Sequence, residues 1–148
     1  MTGDVRINGY DAYTEWRVNF EDGAISALMT PASLKEFVEG KSRLQHGKRV
    51  VVNSPKMEER EVTLPFHIVA SSKEEFFYYY RKFCREVLMA GEFTLTSRWE
   101  PSVTYNGVSV PQPVYHLIYQ SCTQFRQFDG KMAVFSLKVT EPNPDNRI

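Results

Sequence analysis

The spacing of apolar side chains changes twice between residues 61 and 97, which predicts a strand, a helix and a second strand. Apolar and polar residues alternate from 61 to 70 and again from 92 to 96. Between these segments the apolar residues recur at helical spacing, at Phe76, Phe77, Tyr80, Phe83, Cys84, Val87 and Leu88. Because neither a lone helix nor isolated strands can bury so many rings, we expect the helix to pack its apolar stripe on a sheet.

Both ends of this helix are marked in the sequence. Ser72 is followed three residues later by Glu75, which is the capping-box pattern of a helix N-terminus. Gly91 follows the last apolar turn and can adopt the left-handed conformation that ends a helix. We therefore predict a helix over residues 72–88.

Alternation and turn residues predict further strands along the chain. They lie at residues 13–20, 50–53, 57–69, 93–99, 114–123 and 132–140. Residues 24–29 are predicted as a short strand or a loop. A short helix is predicted to begin at Pro31, with Thr30 as its cap. The apolar face of that helix consists of Leu34, Phe37 and Val38.

Together these elements predict one domain over residues 1–148, of the α+β class and mainly β. Hairpin signals outnumber crossover helices, so we expect an antiparallel β-sandwich or open barrel with one long helix packed across the sheet. Residues 1–12 are expected to form a flexible arm or a short edge strand, and residues 141–148 a flexible tail. Residues 102–113 are predicted as a loop that turns at Asn106-Gly107.

The composition argues against several classes of protein. The chain carries 18 basic and 18 acidic side chains, whereas a dedicated nucleic-acid-binding domain should show a basic excess. No apolar segment approaches the length that crosses a membrane, and residues 1–10 lack the pattern of a signal peptide, so we expect a protein that stays in the cytoplasm until assembly. The aromatic content of 14% is high, and Tyr, prominent within it, is a residue that interfaces favour.

No motif in the sequence points to catalysis. The patterns of nucleophile elbows, zinc proteases, P-loops and dinucleotide-binding sites are missing. Cys84 and Cys122 lack zinc-site spacing, and we predict no enzyme, no metal and no cofactor. The alternative is a small ligand-binding or enzymatic β-barrel, in which His67, His116 and nearby tyrosines line a deep pocket.

Residues 41–49 form the most basic segment and show no regular period. Its basic side chains belong to Lys41, Arg43, His46, Lys48 and Arg49. We expect a solvated loop, or alternatively a surface that meets an acidic neighbour or a phosphate backbone. A duplex-DNA-binding protein that uses this loop is a further hypothesis, and it requires a strongly salt-dependent affinity. Residues 53–56 are predicted as the tip of a long hairpin over residues 49–69.

Several segments in a fixed order carry a resemblance to a known family. They are the run Leu34-Lys35-Glu36-Phe37, Gly47 with the basic loop, the strand at 60–68, the helix at 72–88, and the segments at 91–95, 114–123 and 132–139. In this order, residues 16–141 resemble the distal tail (Dit) proteins of long-tailed phages, in a minimal form that has only the N-terminal ring domain. Major tail-tube proteins share this fold and are the neighbouring family.

The resemblance implies a virion structural protein of a phage or prophage tail. Such a subunit closes a homo-oligomeric ring, implied to be a hexamer, that joins the tail tube to the baseplate or tip. DNA only passes through the lumen of this ring. The implied partners are the chain itself, tube proteins and the baseplate or tip hub, with no membrane. The implied location is the virion tail, after synthesis in the cytoplasm of a bacterial host.

The resemblance also gives the candidate subunit interface. The basic loop and the hairpin tip are the segments expected to contact a neighbouring copy. The candidate interface residues are Lys41, Arg43, His46, Lys48, Arg49, Asn53 and Lys56.

Overall fold

The computed structural model describes residues 2–34 and 57–148, in which antiparallel β-sheet predominates and a few helices complete the fold. The strands are β1 (Val5–Ile7), β2 (Tyr10–Asp11), β3 (Val18–Phe20), β4 (Arg60–Val69), β5 (Glu92–Ser97), β6 (Val103–Tyr105), β7 (Val108–Val110), β8 (Tyr115–Arg126) and β9 (Met132–Glu141). The helices are α1 (Ala12–Trp16), α2 (Ala24–Met29) and α3 (Lys73–Phe83), and a π-helical segment (Cys84–Leu88) continues α3. The predicted α+β class, mainly β, is confirmed.

Seven of the nine strands in the described residues form one sheet, in the order β2-β1-β5-β8-β9-β4-β3. Every neighbouring pair in it is antiparallel. Strands β4 and β9 pair along their whole length, from Arg60 opposite Glu141 to Val69 opposite Met132. This register places two oppositely charged residues side by side at one end of the sheet.

The two margins of the sheet approach each other near Asp4. In β3, which forms one edge, Asn19 donates a hydrogen bond from Nδ2 to Oδ2 of Asp4, just before β1, at 3.2 Å. The Arg98 guanidinium contacts the other oxygen of Asp4 at 2.6 Å. Four strands lie between β1 and β3 in the order of the sheet, so the hydrogen bond from Asn19 to Asp4 joins segments that this order separates.

Helix α3 lies against the sheet through its aromatic face, as the sequence predicts. Its cap is confirmed, since the Glu75 amide donates a hydrogen bond to Ser72 Oγ at 3.1 Å. The ring of Phe83 is buried and lies 5.9 Å from that of Phe135 on β9. Gly91 follows the π-helical segment with a φ of 94°, and so supplies the predicted left-handed residue that glycine adopts without strain.

The structure corrects two predictions near the N-terminus. Residues 13–20 alternate like a strand, but they fold as α1 followed by β3. Asp11 caps α1, and Arg17 ends it with a left-handed φ of 56°. Residues 24–29 form helix α2 rather than a strand or a loop, because Gly23, with a φ of 89°, turns the chain into a new helix.

Both ends of the chain are attached to the sheet. Residues 1–12, predicted as a flexible arm or a short edge strand, contain β1 and β2, and β2 forms an edge of the sheet. Val5 and Ile7 of this segment lie in the hydrophobic core. The segment predicted as a flexible tail, residues 141–148, begins at a fully buried Glu141, with which Arg147 forms an ion pair. The edge-strand alternative is therefore confirmed for the first segment, and the ion pair attaches the second segment to the fold.

Four predicted segments fall at or beyond the limits of the described residues. Pro31, the predicted first residue of a short helix, is not helical, and Leu34 forms an isolated bridge with Met57. The rest of that helix, the basic loop, the strand at 50–53 and the hairpin tip at 53–56 lie outside the described residues. The loop predicted at 102–113 contains the β6–β7 hairpin, which turns at Asn106-Gly107 as expected.

Replacing Asp11 with alanine should lower the free energy of unfolding by about 1 kcal/mol, because α1 loses its N-cap. The Asp11 carboxylate accepts hydrogen bonds from the amides of Gly3 and Thr14, at 2.7 and 3.0 Å, and from Thr14 Oγ1 at 2.6 Å. Burial opposes ionisation, but these hydrogen bonds outweigh it and lower the pKa of Asp11 below 3.8. The stability that the Asp11 carboxylate contributes is therefore complete at pH values above its pKa in the unfolded chain. It is lost as the pH falls through the lower pKa of Asp11 in the folded protein.

Urea unfolding of the Asp11→Ala protein at pH 7 and pH 3 checks this. Asp11→Asn is the matched control, because asparagine caps helices about as well and does not titrate. The asparagine variant should keep most of the stability at pH 7. Equal losses in the two variants would show that the cap hydrogen bonds contribute nothing.

Candidate functional site

The interface residues predicted from the sequence lie outside the described residues. These are Lys41, Arg43, His46, Lys48, Arg49, Asn53 and Lys56. Their role stays a prediction.

The two strand histidines are held apart, each beside its own carboxylate. Nδ1 of His67 on β4 lies 2.9 Å from Oε2 of Glu21. Nδ1 of His116 on β8 lies 2.9 Å from Oε1 of Glu92 on the neighbouring β5. A cleft of about 520 Å³ beside β4 is lined by residues 27, 30–33 and 58–63 and contains neither histidine. Among the described residues, each of the two rings is therefore paired with its own carboxylate, and neither lines this cleft.

A buried charge cluster lies where β4 and β9 pair at their ends. Oε1 of Glu141 accepts a hydrogen bond from Nε of Arg60 at 3.0 Å, and both its oxygens accept from Arg147 at 2.9 Å. Glu141 is fully buried and Arg60 is 7% exposed. Nη1 of Arg60 donates to the carbonyls of Leu28 and Thr30, which anchors the end of α2. This cluster joins β4, β9, α2 and the C-terminal segment.

The ring of Tyr115 lies between the two arginines of this cluster. The guanidinium carbons of Arg147 and Arg60 lie 4.7 and 5.6 Å from the ring centre, within the range of cation–π attraction. The Tyr115 hydroxyl donates a hydrogen bond to Oε1 of Glu100 at 2.6 Å. Burial, together with that carboxylate, raises the pKa of Tyr115 well above its ordinary value. The carboxylate, the two guanidinium groups and the tyrosine hydroxyl of this cluster all contact other residues of the same chain. This arrangement indicates a structural role rather than a reactive one.

A long uncharged run is the strongest feature of the described surface. No Asp, Glu, Lys or Arg occurs from residue 101 to 125, in a chain whose charged fraction is 24%. The run includes the β6–β7 hairpin and nearly all of β8. Depletion of charge is the compositional mark of the centre of a protein interface. This run can be read directly from the sequence, but the alternation of residues within it predicts only strands and a turn, not an interface.

The β6–β7 hairpin exposes an apolar face. Val103 pairs with Val110 and Tyr105 with Val108, and paired residues point to the same side of a hairpin. We term these four side chains the hairpin face. Their exposed fractions are 50% for Val103, 51% for Val110, 76% for Tyr105 and 61% for Val108. Thr104 and Ser109 form the opposite, polar side. An isolated two-stranded hairpin is marginally stable in water, so this one is suited to packing against a partner.

The outer half of β8 presents a second unpartnered feature. Strand β5 pairs with β8 only from Tyr115 to Ile118, whereas β9 pairs with it as far as Arg126. On the side away from β9, no strand of the described residues pairs with residues 119–126, which we term the open edge. Residues 120–126 are exposed. Edge strands usually carry charges that prevent strand addition, but here the first charge is Arg126.

Aromatic rings lie beside the far end of the open edge. Phe125 and Phe128 are 45% and 48% exposed, and their ring centres are 6.3 Å apart. Phe128 also contacts Phe77 of α3 at 6.0 Å. The open edge is therefore flanked by an exposed apolar surface on the side of α3. Such surfaces mark interaction sites in monomeric chains.

The described residues contain no group of three or more His, Cys, Asp or Glu side chains that could hold a metal ion. Within the same residues, no helix combines the length and the apolar character needed to cross a membrane. Comparison of the sequence with known proteins finds no matching family model and no matching curated protein.

Proposed function

We propose that this chain is a structural subunit of a phage or prophage tail, of the distal-tail or tail-tube type. It assembles into a closed ring of identical copies, a hexamer by resemblance, that joins the tail tube to the baseplate or tip. Its partners are further copies of itself and the adjoining tail proteins. DNA passes through the lumen without being a ligand, and the site of action is the virion tail.

The observation that carries this proposal is the pair of unpartnered surfaces in the uncharged run. The hairpin face exposes four apolar side chains, and the open edge leaves backbone donors and acceptors of β8 unpaired by any described strand. Both features suit protein–protein contact better than they suit binding of a small ligand or a phosphate backbone. Assembly is also unopposed by self-repulsion, since the formal net charge is zero.

We further infer that the sheet forms an open barrel rather than a sandwich of two sheets. The hydrogen bond from Asn19 to Asp4 supports this, because it links strands near opposite margins of one sheet. The stacked rings of Phe20 in β3 and Trp99, which follows β5, support it in the same way, with centres 6.2 Å apart. A curved sheet of this kind leaves its hairpins free to extend toward neighbouring copies.

The wild-type chain should form one discrete oligomer whose mass is a whole multiple of 17.2 kDa. Light scattering behind a sizing column, over a wide range of protein concentration, measures this mass, and negative-stain microscopy shows whether the particle is a ring with a central channel. A monomer at every concentration contradicts the proposed function.

The salt dependence of the oligomer separates two possible contacts. Raising the salt to about 1 M shortens the Debye length to roughly 3 Å and weakens charged contacts selectively. An oligomer held through the uncharged run should persist. An oligomer that dissociates would assign the contact to the basic segment at 41–49 instead.

A further inference from the structure

The two surfaces of the uncharged run do not pair with each other within one chain. Among the described residues, β6 and β7 pair only with each other, and no strand pairs with the open edge on the side away from β9. All six strand residues of the hairpin are exposed. In this fold, a contact between the two surfaces therefore joins two copies of the chain.

The two surfaces are also complementary in chemistry. The outer sides of β6 and β7 have no strand partner among the described residues, because these strands pair only with each other. The open edge likewise has no strand partner on one side among the described residues. An added strand satisfies unpaired backbone groups on both copies. The hairpin and residues 119–125 of the open edge carry no formal charge, and the edge ends at Arg126, so a strand added along residues 119–125 buries no unpaired ion.

The size of the hairpin face indicates that it does not act alone. Its four side chains, half to three-quarters exposed, present on the order of 400 Å², about half of what each partner buries in a stable interface. In a head-to-tail assembly each copy uses both surfaces, one for each neighbour. Such heterologous contacts close into rings when the rotation between copies allows it.

We propose that the β6–β7 hairpin of one copy adds to the open edge of β8 in the next copy, with the hairpin face packed beside Phe125 and Phe128. This rests on the proposed function, because it specifies the contact by which the ring closes. It assigns the subunit contact to the uncharged run at 101–125 rather than to the basic loop.

Charge placed on either surface should abolish assembly. Val108→Lys puts an ammonium on the hairpin face, and its matched control is Ser109→Lys, one residue along on the polar side. Gln124→Lys charges the open edge, and its control is Gln124→Ser, which stays neutral. We expect the two test variants to raise the concentration needed for assembly by about 100-fold, the scale of a lost hot spot. The two controls should assemble like the wild type.

Mixing the two test variants gives the decisive result. Each variant keeps the surface that the other has lost, so a 1:1 mixture should form a dimer held by one intact contact and grow no further. Light scattering measures this directly. Circular dichroism melting of each variant shows that it is folded before mixing.

The possible results distinguish a failure of the proposed contact from a failure of the proposed function. A wild-type oligomer that survives both lysine variants overturns the contact and leaves the ring proposal standing. Variants that are monomeric alone and stay monomeric when mixed overturn the head-to-tail pairing. A wild-type chain that is itself monomeric contradicts the proposed function, as described above, and the contact with it.

Discussion

Replacing Glu141 with alanine is expected to lower the free energy of unfolding by about 3–5 kcal/mol, the cost of breaking a buried ion pair from one side. Glu141 is fully buried and accepts hydrogen bonds from two arginines. Arg60, 7% exposed, would keep its charge but lose this carboxylate, and among the described residues its Nη2 has no hydrogen-bond partner even in the intact cluster. The substitution also releases Arg147 and with it the C-terminal segment.

Urea unfolding at pH 7 measures the loss, and Glu61→Ala is the matched control. Glu61 lies beside Arg60 on β4 and pairs with Lys138 at 3.2 Å, but both partners are exposed. An exposed pair of this kind contributes less than about 1 kcal/mol. If the two variants lose the same stability, burial does not set the strength of the Glu141 cluster and the expectation fails.

The long elements could be predicted because several local signals agree in them. Helix α3 has an apolar stripe, a serine cap and a following glycine, β4 alternates over ten residues, and β9 alternates from Phe135 to Thr140. The structure places these three elements as the sequence indicates. Agreement between period, cap and turn leaves few alternative conformations for such segments.

The secondary structure predicted for the short N-terminal elements was wrong because the conformation of a few single residues determines it. The alternate apolar residues of the strand predicted at 13–20, Trp16, Val18 and Phe20, are all buried, so the apolar pattern identified core residues correctly. The secondary structure differs because Arg17 adopts a left-handed φ of 56°, which is uncommon for a residue with a side chain. The alternation of apolar and polar residues does not reveal that the chain changes direction at Arg17.

The surfaces proposed for assembly differ in how far the sequence reveals them. The absence of charge from residue 101 to 125 can be counted directly. The open edge cannot, because it depends on the pairing of β8, with 12 residues, beside the shorter β5, with 6. The Arg60–Glu141 pair is likewise hidden, since the strand register brings together residues 81 positions apart.

Phe83→Ala is expected to lower the free energy of unfolding by about 3–5 kcal/mol, as for other large cavities left by a buried ring. Phe83 is 1% exposed. Its ring centre lies 6.1 Å from Trp16 in α1, 6.4 Å from Phe66 in β4 and 5.9 Å from Phe135 in β9. One side chain thus joins α1 and α3 to the neighbouring strands β4 and β9.

Tyr78→Ala provides the control on the same helix, because Tyr78 is 62% exposed and a surface change of this kind usually stays within about 0.5 kcal/mol. Both variants lose an aromatic residue from α3, so a difference between their urea midpoints reports burial rather than helix propensity. A loss below about 1 kcal/mol for Phe83→Ala would mean that the core collapses into the space without cost. In that case the packing of α3 across the sheet would contribute little to the stability of the fold.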